Sequence, residues 1–453
     1  MTAGCRTGSD PAGQWGYNTP ACFPGVTTRL GNVSHWARVV KYSDVSTALA
    51  LLSDHQLGQL VDAAPAIGSG IGGTSALLDI ADAFVFVKRI PLTDLEREPD
   101  NVMSTANLFG LPPSCQYGLG GHPGFGAWRE LAANVLTTNW VLARRTEAFP
   151  LLYHWRVLPG AVPLADELAD VERAVAYWDG SAAVRERIQA VATASASVVL
   201  FLEYIPHTLD AWLTSQLAAG SDAVTAACAM VQRCLRADIA FMNANGLLHF
   251  DAHFRNILTD GHRLYLADLG LATSPRFDLS TDERDFLALN ASHDACYAMR
   301  ELLNWIVANV VGIAAPDSGG PVERYDYIRR CAAGARPAGA PEPVAELISR
   351  YAPVVAVMNG FYWKLFGESR ATPYPAQEIA QAMATALSDR AGADLVGDPI
   401  RLVQGQECPP AGDLDEGCVG EGVPEALSEA DVEERVGGAP DEPDRFREIV
   451  QPG

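Results

Sequence analysis

The stretch His249-Phe-Asp-Ala-His-Phe-Arg-Asn-Ile-Leu258, with Ala267-Asp-Leu-Gly270 shortly after it, constrains the fold more tightly than any other part of the chain. Asp260-Gly261 between two apolar runs is a strong hairpin signal. The runs themselves, Asn256-Ile-Leu258 and Arg263-Leu-Tyr-Leu-Ala267, then read as paired strands. Such a hairpin returns Asp268 to the side of Asn256, although twelve positions separate them. Two oxygen donors so placed can share a hard cation such as Mg2+. Asp251, five positions before Asn256, falls on the loop entering the hairpin, where its carboxylate can accept a hydrogen bond from an incoming hydroxyl. Phosphoryl transfer from a nucleoside triphosphate requires this combination: one carboxylate at the attacking hydroxyl, and a carboxamide and a carboxylate on the bridging metal.

A second constellation lies upstream. Gly68-Ser-Gly70-Ile-Gly-Gly73 has the form G-x-G-x-x-G, and Lys88 follows Gly73 by fifteen positions. With 40 glycines in the chain such a pattern is weak alone. Its flanks strengthen it: Ala66-Ile67, Ser75-Ala-Leu-Leu-Asp-Ile80 and Ala83-Phe-Val-Phe-Val-Lys88 read as strand, glycine turn, strand, turn and strand. A dinucleotide site would instead need a helix directly after the glycines. Amides of a glycine turn can approach phosphate oxygens because no side chain intervenes.

The pattern H-x-D-x-x-x-x-N followed by D-x-G, together with the glycine turn and Val85-Phe-Val-Lys88, resembles the protein kinase-like superfamily. That superfamily holds eukaryotic-type Ser/Thr protein kinases and aminoglycoside phosphotransferase-like kinases. The resemblance implies an α+β, bilobed protein kinase-like fold, with a β-rich N-lobe, a helical C-lobe and ATP between them. It implies that Lys88 holds phosphates, that Asn256 and Asp268 carry Mg2+, and that Asp251 is the catalytic base. A helix glutamate orients the lysine in such proteins. Glu130, in the helical pattern Gly126–Leu142, is the candidate, with Leu131, Val135 and Leu136 as packing positions. Forty-two residues separate it from Lys88, including a Pro/Gly-rich insertion over 107–126; Glu96 and Glu98 are nearer but precede Pro99 in an apparent loop. Adenine is expected on the main chain around Glu203, Tyr204 and Ile205, where the strand Ser197–Ile205 meets a helix. Asp294 corresponds to the aspartate that braces the catalytic loop.

The resemblance thins after Gly270. No A-P-E motif closes an activation segment, Phe250 stands where many protein kinases have Arg, and His253 where a Lys is frequent. His249 and His253 are four apart, but no Glu follows His249, which argues against zinc. The favoured reading is a Ser/Thr protein or peptide kinase. The alternatives are a small-molecule kinase, suggested by the short segment after Gly270, and a nucleotide-binding pseudokinase scaffold.

The expected organisation is an irregular extension over 1–40, an N-lobe over 41–202, a C-lobe over 203–390 and an acidic tail over 391–453. Asp44 to Ala64 reads as a helix pair with a capping box at Ser53, and Ala223 to Asn245 as a long amphipathic helix. From Ala411 onward there are 13 acidic and 3 basic residues, a composition that favours disorder. A net charge of -22 disfavours nucleic-acid partners. Nine cysteines without a C-x-x-C pair, no apolar run of bilayer length and no signal pattern favour a cytoplasmic enzyme without a membrane partner.

Overall fold

A computed structural model describes residues 33–70, 73–119, 122–313 and 322–388. The chain begins with two capped helices, α1 (His35–Ala50) and α2 (Asp54–Ala63). The expected box at Ser53 forms, with Ser53 and Gln56 each accepting the other's backbone N–H. Helix α1 starts earlier than the sequence pattern suggests, so residues 35–40 are helical rather than irregular. Its first turn carries little apolar periodicity; Ser34 accepting from the Ala37 amide starts it instead.

Strands β1 (Ala66–Gly70), β2 (Gly73–Ile80) and β3 (Ala83–Leu92) follow, then β4 (Leu152–Pro159) and β5 (Ala196–Glu203). They form an antiparallel sheet in the order β1-β2-β3-β5-β4. Lys88 sits opposite Ser75 on β2 and Leu200 on β5, so the central strand carries it. A short helix, α3 (Asp94–Arg97), leads into the insertion, and α4 (Ala127–Leu142) packs beside the sheet. On α4 Leu131 is buried, but Val135 is 38 % exposed. The inward positions beside it are taken by Asn134 and Thr138, which bond the Glu130 carbonyl and the Leu152 amide.

Between β4 and β5 lie three helices absent from the sequence expectation: α5 (Asp166–Ala169), α6 (Val171–Tyr177) and α7 (Ala182–Ala192). Helices α5 and α6 are too short to show a clear apolar period, whereas α7 carries one, with buried Val184, Ile188 and Val191 at four- and three-residue spacing. Beyond β5 come β6 (His207–Thr208), α8 (Leu209–Ala219) and α9 (Ser221–Ala244), then the hairpin β7 (Ile257–Thr259) and β8 (Leu264–Leu266). Buried Val224, Ala227, Val231, Leu235 and Ile239 run along one face of α9 at three- and four-residue spacing. The rest is helical: α10 (Thr281–Leu289), α11 (His293–Asn309), α12 (Val322–Ala332), α13 (Glu342–Gly367) and α14 (Ala376–Ser388).

The architecture is therefore α+β, a five-stranded antiparallel sheet followed by helices. One core runs from the sheet into α9 and α11. A second joins Leu111, Cys115, Tyr117 and Leu119 of the insertion to Trp178 and Ile188 and to Met358 and Phe361 of α13. The insertion is thus packed chain, despite its Pro/Gly content. Among the described residues no helix is long and apolar enough to cross a membrane. The expected tail over 391–453 and most of the extension over 1–40 lie outside the described residues.

Candidate active site

Helix α9 ends at Ala244, and Gly246 (φ +76°) turns the chain into a bridge between Leu248 and Thr273. The next two amides, of His249 and Phe250, donate to the two oxygens of the Asp294 carboxylate at 2.7 and 2.9 Å. Phe250 is held at φ +62°, a conformation costing a side-chain-bearing residue roughly 1–2 kcal/mol. Two bonds to a buried carboxylate, about 1.5–3 kcal/mol each, offset that cost. The Asp251 amide donates to His249 Nδ1 at 3.3 Å, so Nε2 carries the proton and donates to the Ala267 carbonyl at 3.0 Å. The loop is thereby fastened to the segment bearing Asp268.

Asn256 donates through Nδ2 to the Asp251 carbonyl at 3.0 Å and to its carboxylate at 2.9 Å. This leaves the Asn256 side-chain oxygen as the atom with which it can meet a cation. The Ala267 amide donates to the Asn256 carbonyl at 2.9 Å, and the hairpin pairs Ile257 with Leu266. Asn256 and the start of the Asp268 turn are therefore neighbours, joined through the Asp260-Gly261 turn.

Lys88 Nζ donates to Glu130 Oε1 at 2.7 Å and to Asp268 Oδ1 at 2.8 Å. Lys88, Glu130 and Asp268, drawn from β3, α4 and the turn after β8, thus meet at one ammonium. Burial opposes the Lys88 charge, but the two carboxylates outweigh it and hold its pKa above the usual range. Burial also opposes ionisation of Asp268, yet Lys88 prevails and draws that carboxyl down to about 2. Glu130 is more deeply enclosed and shares the same lysine, so burial prevails there and pushes it up to about 7. Asp251 is raised to about 7 by burial and then by the Asp268 charge.

The glycine turn runs between β1 and β2, with Gly68 and Gly70 on the first and Gly73 on the second; residues 71–72 lie outside the described set. Gly73 adopts φ +115°, and a Cβ there would come within 1.9 Å of the Arg89 carbonyl oxygen. Only glycine fits. At the end of β5, Glu203 is turned away from solvent, accepting from Arg38 Nη2 at 2.6 Å and from the Leu151 amide at 3.1 Å. Its side chain is a clamp on α1 rather than a ligand contact, and Ile205 lies just past the strand.

Three contributors, Arg38, Gly118 and His122, went unnoticed in the sequence, and Glu96 was assigned there to a loop. Arg38 is 1 % exposed and also bonds the Phe149 carbonyl at 2.7 Å. Glu96, expected in a loop, is buried in α3; it accepts from the Ala127 amide at 2.9 Å and from Arg187 at 2.8 Å, anchoring the start of the helix that carries Glu130. Gly118 of the insertion (φ +64°) lies so close to Asp251 that an added Cβ would be 2.6 Å from Oδ1. His122, held down to about 4 by burial against the pull of Asp268, brings the same insertion near the lysine cluster. The apolar residues Leu111, Cys115, Tyr117 and Leu119 were the available signal that the insertion is buried.

Asn256 and Asp268 offer oxygen donors, one of them firmly anionic, which suits Mg2+. Among the described residues no group of three His, Cys, Asp or Glu is placed to hold a metal. Comparison with family models and with curated proteins finds no match for this chain.

Proposed function

We propose that the protein is an ATP-dependent phosphotransferase with a bilobed, protein kinase-like arrangement, moving the γ-phosphate of ATP to a hydroxyl. One observation carries this reading: Lys88 bridges Glu130 and Asp268 beside a loop in which Asn256 holds the Asp251 carboxylate. A charge triad beside a second, asparagine-held carboxylate supplies the parts that phosphoryl transfer needs. In this reading Lys88 contacts the α- and β-phosphates, and the amides around Gly68, Gly70 and Gly73 lie over them. The main chain near Glu203 and Ile205 is the expected adenine contact. Asn256 and Asp268 would hold Mg2+, which when bound neutralises phosphate charge. As the acceptor oxygen bonds to the γ-phosphorus, the bond to the β–γ bridging oxygen breaks and ADP leaves. The hydroxyl proton passes to Asp251, whose raised pKa suits a base working near neutrality.

The contact between Gly118 and Asp251 favours a small acceptor over the Ser/Thr protein or peptide expected from sequence. The chain's own insertion covers one side of that carboxylate, where an extended peptide would need open surface.

Magnesium-ATP is expected to raise the melting temperature of the wild-type protein through binding to the folded state. Asp268→Ala should remove most of that rise. Equal magnesium-dependent shifts in both proteins would refute the assignment of Asp268.

A further inference from the structure

Helix α4 has no side-chain cap of its own, since Gly126 stands at its N-cap, and its first turn is held from outside. The Ala127 amide donates to Glu96, and two residues on, Arg129 carries its guanidinium into the interior. Arg129 Nε donates to the Thr105 carbonyl at 2.6 Å, and Nη2 to Glu283 Oε1 at 2.7 Å. The Glu283 carboxylate is itself fixed. Its second oxygen accepts the Ser280 amide at 3.0 Å and so completes the capping box of α10. Thr105 joins the same arrangement through its hydroxyl, which accepts the Asp278 amide at 2.9 Å.

Consecutive residues on a helix point about 100° apart. Glu130 therefore meets Lys88 while Arg129 meets α10. Both contacts return to one stretch of chain. Asp268 shares the lysine with Glu130, and Glu283, fifteen positions later, holds the residue before Glu130. The stretch is also pinned between those ends. At Gly270 an added Cβ would be 3.1 Å from Glu130 Oε2, and Thr273 is bridged to Leu248. Helix α4 cannot turn or slide without breaking one of these ties.

A buried ion pair contributes little net stability, because desolvating two charges offsets most of their attraction. Here burial outweighs the pull of Glu283 and holds the Arg129 pKa below its usual range, and Nη1 has no hydrogen-bond partner among the described residues. What the pair does supply is direction: a planar guanidinium bonded along fixed N–H vectors to two separate segments.

We propose that Arg129 and Glu283 are positioning residues whose buried pair holds α4 in the orientation that brings Glu130 to Lys88. The 268–283 stretch thereby sets the lysine as well as supplying Asp268. The part this plays in turnover rests on the phosphotransferase reading above.

The chain contains three lysines; Lys41 and Lys364 are exposed, whereas Lys88 is buried. Acylation of the folded protein by an N-hydroxysuccinimide ester, read lysine by lysine by mass spectrometry, reports on Lys88 with two internal references. Arg129→Met leaves Glu283 buried and alone, so it is accompanied by Arg129→Met with Glu283→Gln, which strands no charge. Well below the melting temperature of each variant, Lys88 should be acylated several-fold faster than in wild type, with Lys41 and Lys364 unchanged. A pair serving stability alone would lower the melting temperature and leave this labelling as in wild type, which would overturn the proposal. In magnesium-ATP turnover the double variant should lose up to about a hundredfold in kcat/KM. Adding Glu130→Gln should cost nothing beyond Glu130→Gln alone, because Arg129 acts through Glu130. Losses that multiply would overturn the proposal. Faster Lys88 labelling in the variants, with a wild type that magnesium-ATP does not stabilise, would support the tie to Lys88 and overturn the phosphotransferase reading, which distinguishes the two failures.

Discussion

Lys88→Met removes a buried ammonium while keeping most of the stem that packs in β3, and its effect on stability should depend on pH in a definite way. Burial pushes Glu130 up to about 7, whereas a glutamate in the unfolded chain titrates near 4.3. Between those values the folded state holds the extra proton, so wild-type stability falls as pH rises. The fall levels off above 7, once Glu130 ionises beside Lys88. In Lys88→Met nothing offsets burial and the neighbouring Asp268, so the Glu130 pKa moves higher and the fall continues. The slope is about 1.4 kcal/mol per pH unit for one proton. Urea denaturation at about pH 7 and about pH 8.5 should therefore show the gap between wild type and variant widening by roughly 2 kcal/mol. Adding Glu130→Gln to Lys88→Met should abolish the widening. Parallel stability curves for wild type and Lys88→Met above neutrality would refute the buried triad of Lys88, Glu130 and Asp268.

Asp251→Asn should lower turnover about a hundredfold to ten-thousandfold with magnesium-ATP affinity kept within a few-fold. In the wild type kcat/KM should rise with pH through an inflection near 7, because the base must be deprotonated to accept the proton; a flat profile would count against Asp251. Gly118→Ala forces a Cβ toward the Asp251 carboxylate at a position with φ +64°, and should cut turnover while leaving the magnesium-ATP thermal shift intact. Arg38→Met strands the buried Glu203 carboxylate and should cost about 3–5 kcal/mol in urea denaturation, part of it recovered by adding Glu203→Gln.

The local chemistry of the site was legible in the chain because it depends on short spacings. The Asp260-Gly261 turn determines that Asn256 and the Asp268 segment become neighbours, and the continuous apolar, β-branched and aromatic run Ala83–Val87 determines that Lys88 follows within a strand. Ser53-Asp-His-Gln56 announced its own helix start, since a capping box is completed within four residues. Burial was less readable: Val135 looked like a packing residue, yet the phase of α4 is set by Lys88 and β4, which claim Glu130 and Thr138. Only the tertiary fold decided that Glu130 reaches Lys88 across 42 residues, that Arg38 closes on Glu203 across 165, and that Gly118 lies against Asp251. Each of these joins segments with no common period or turn. A charged or glycine residue in a long loop carries no signal of its partner until the surrounding apolar surface, here the second core beneath the insertion, has chosen where that loop is buried.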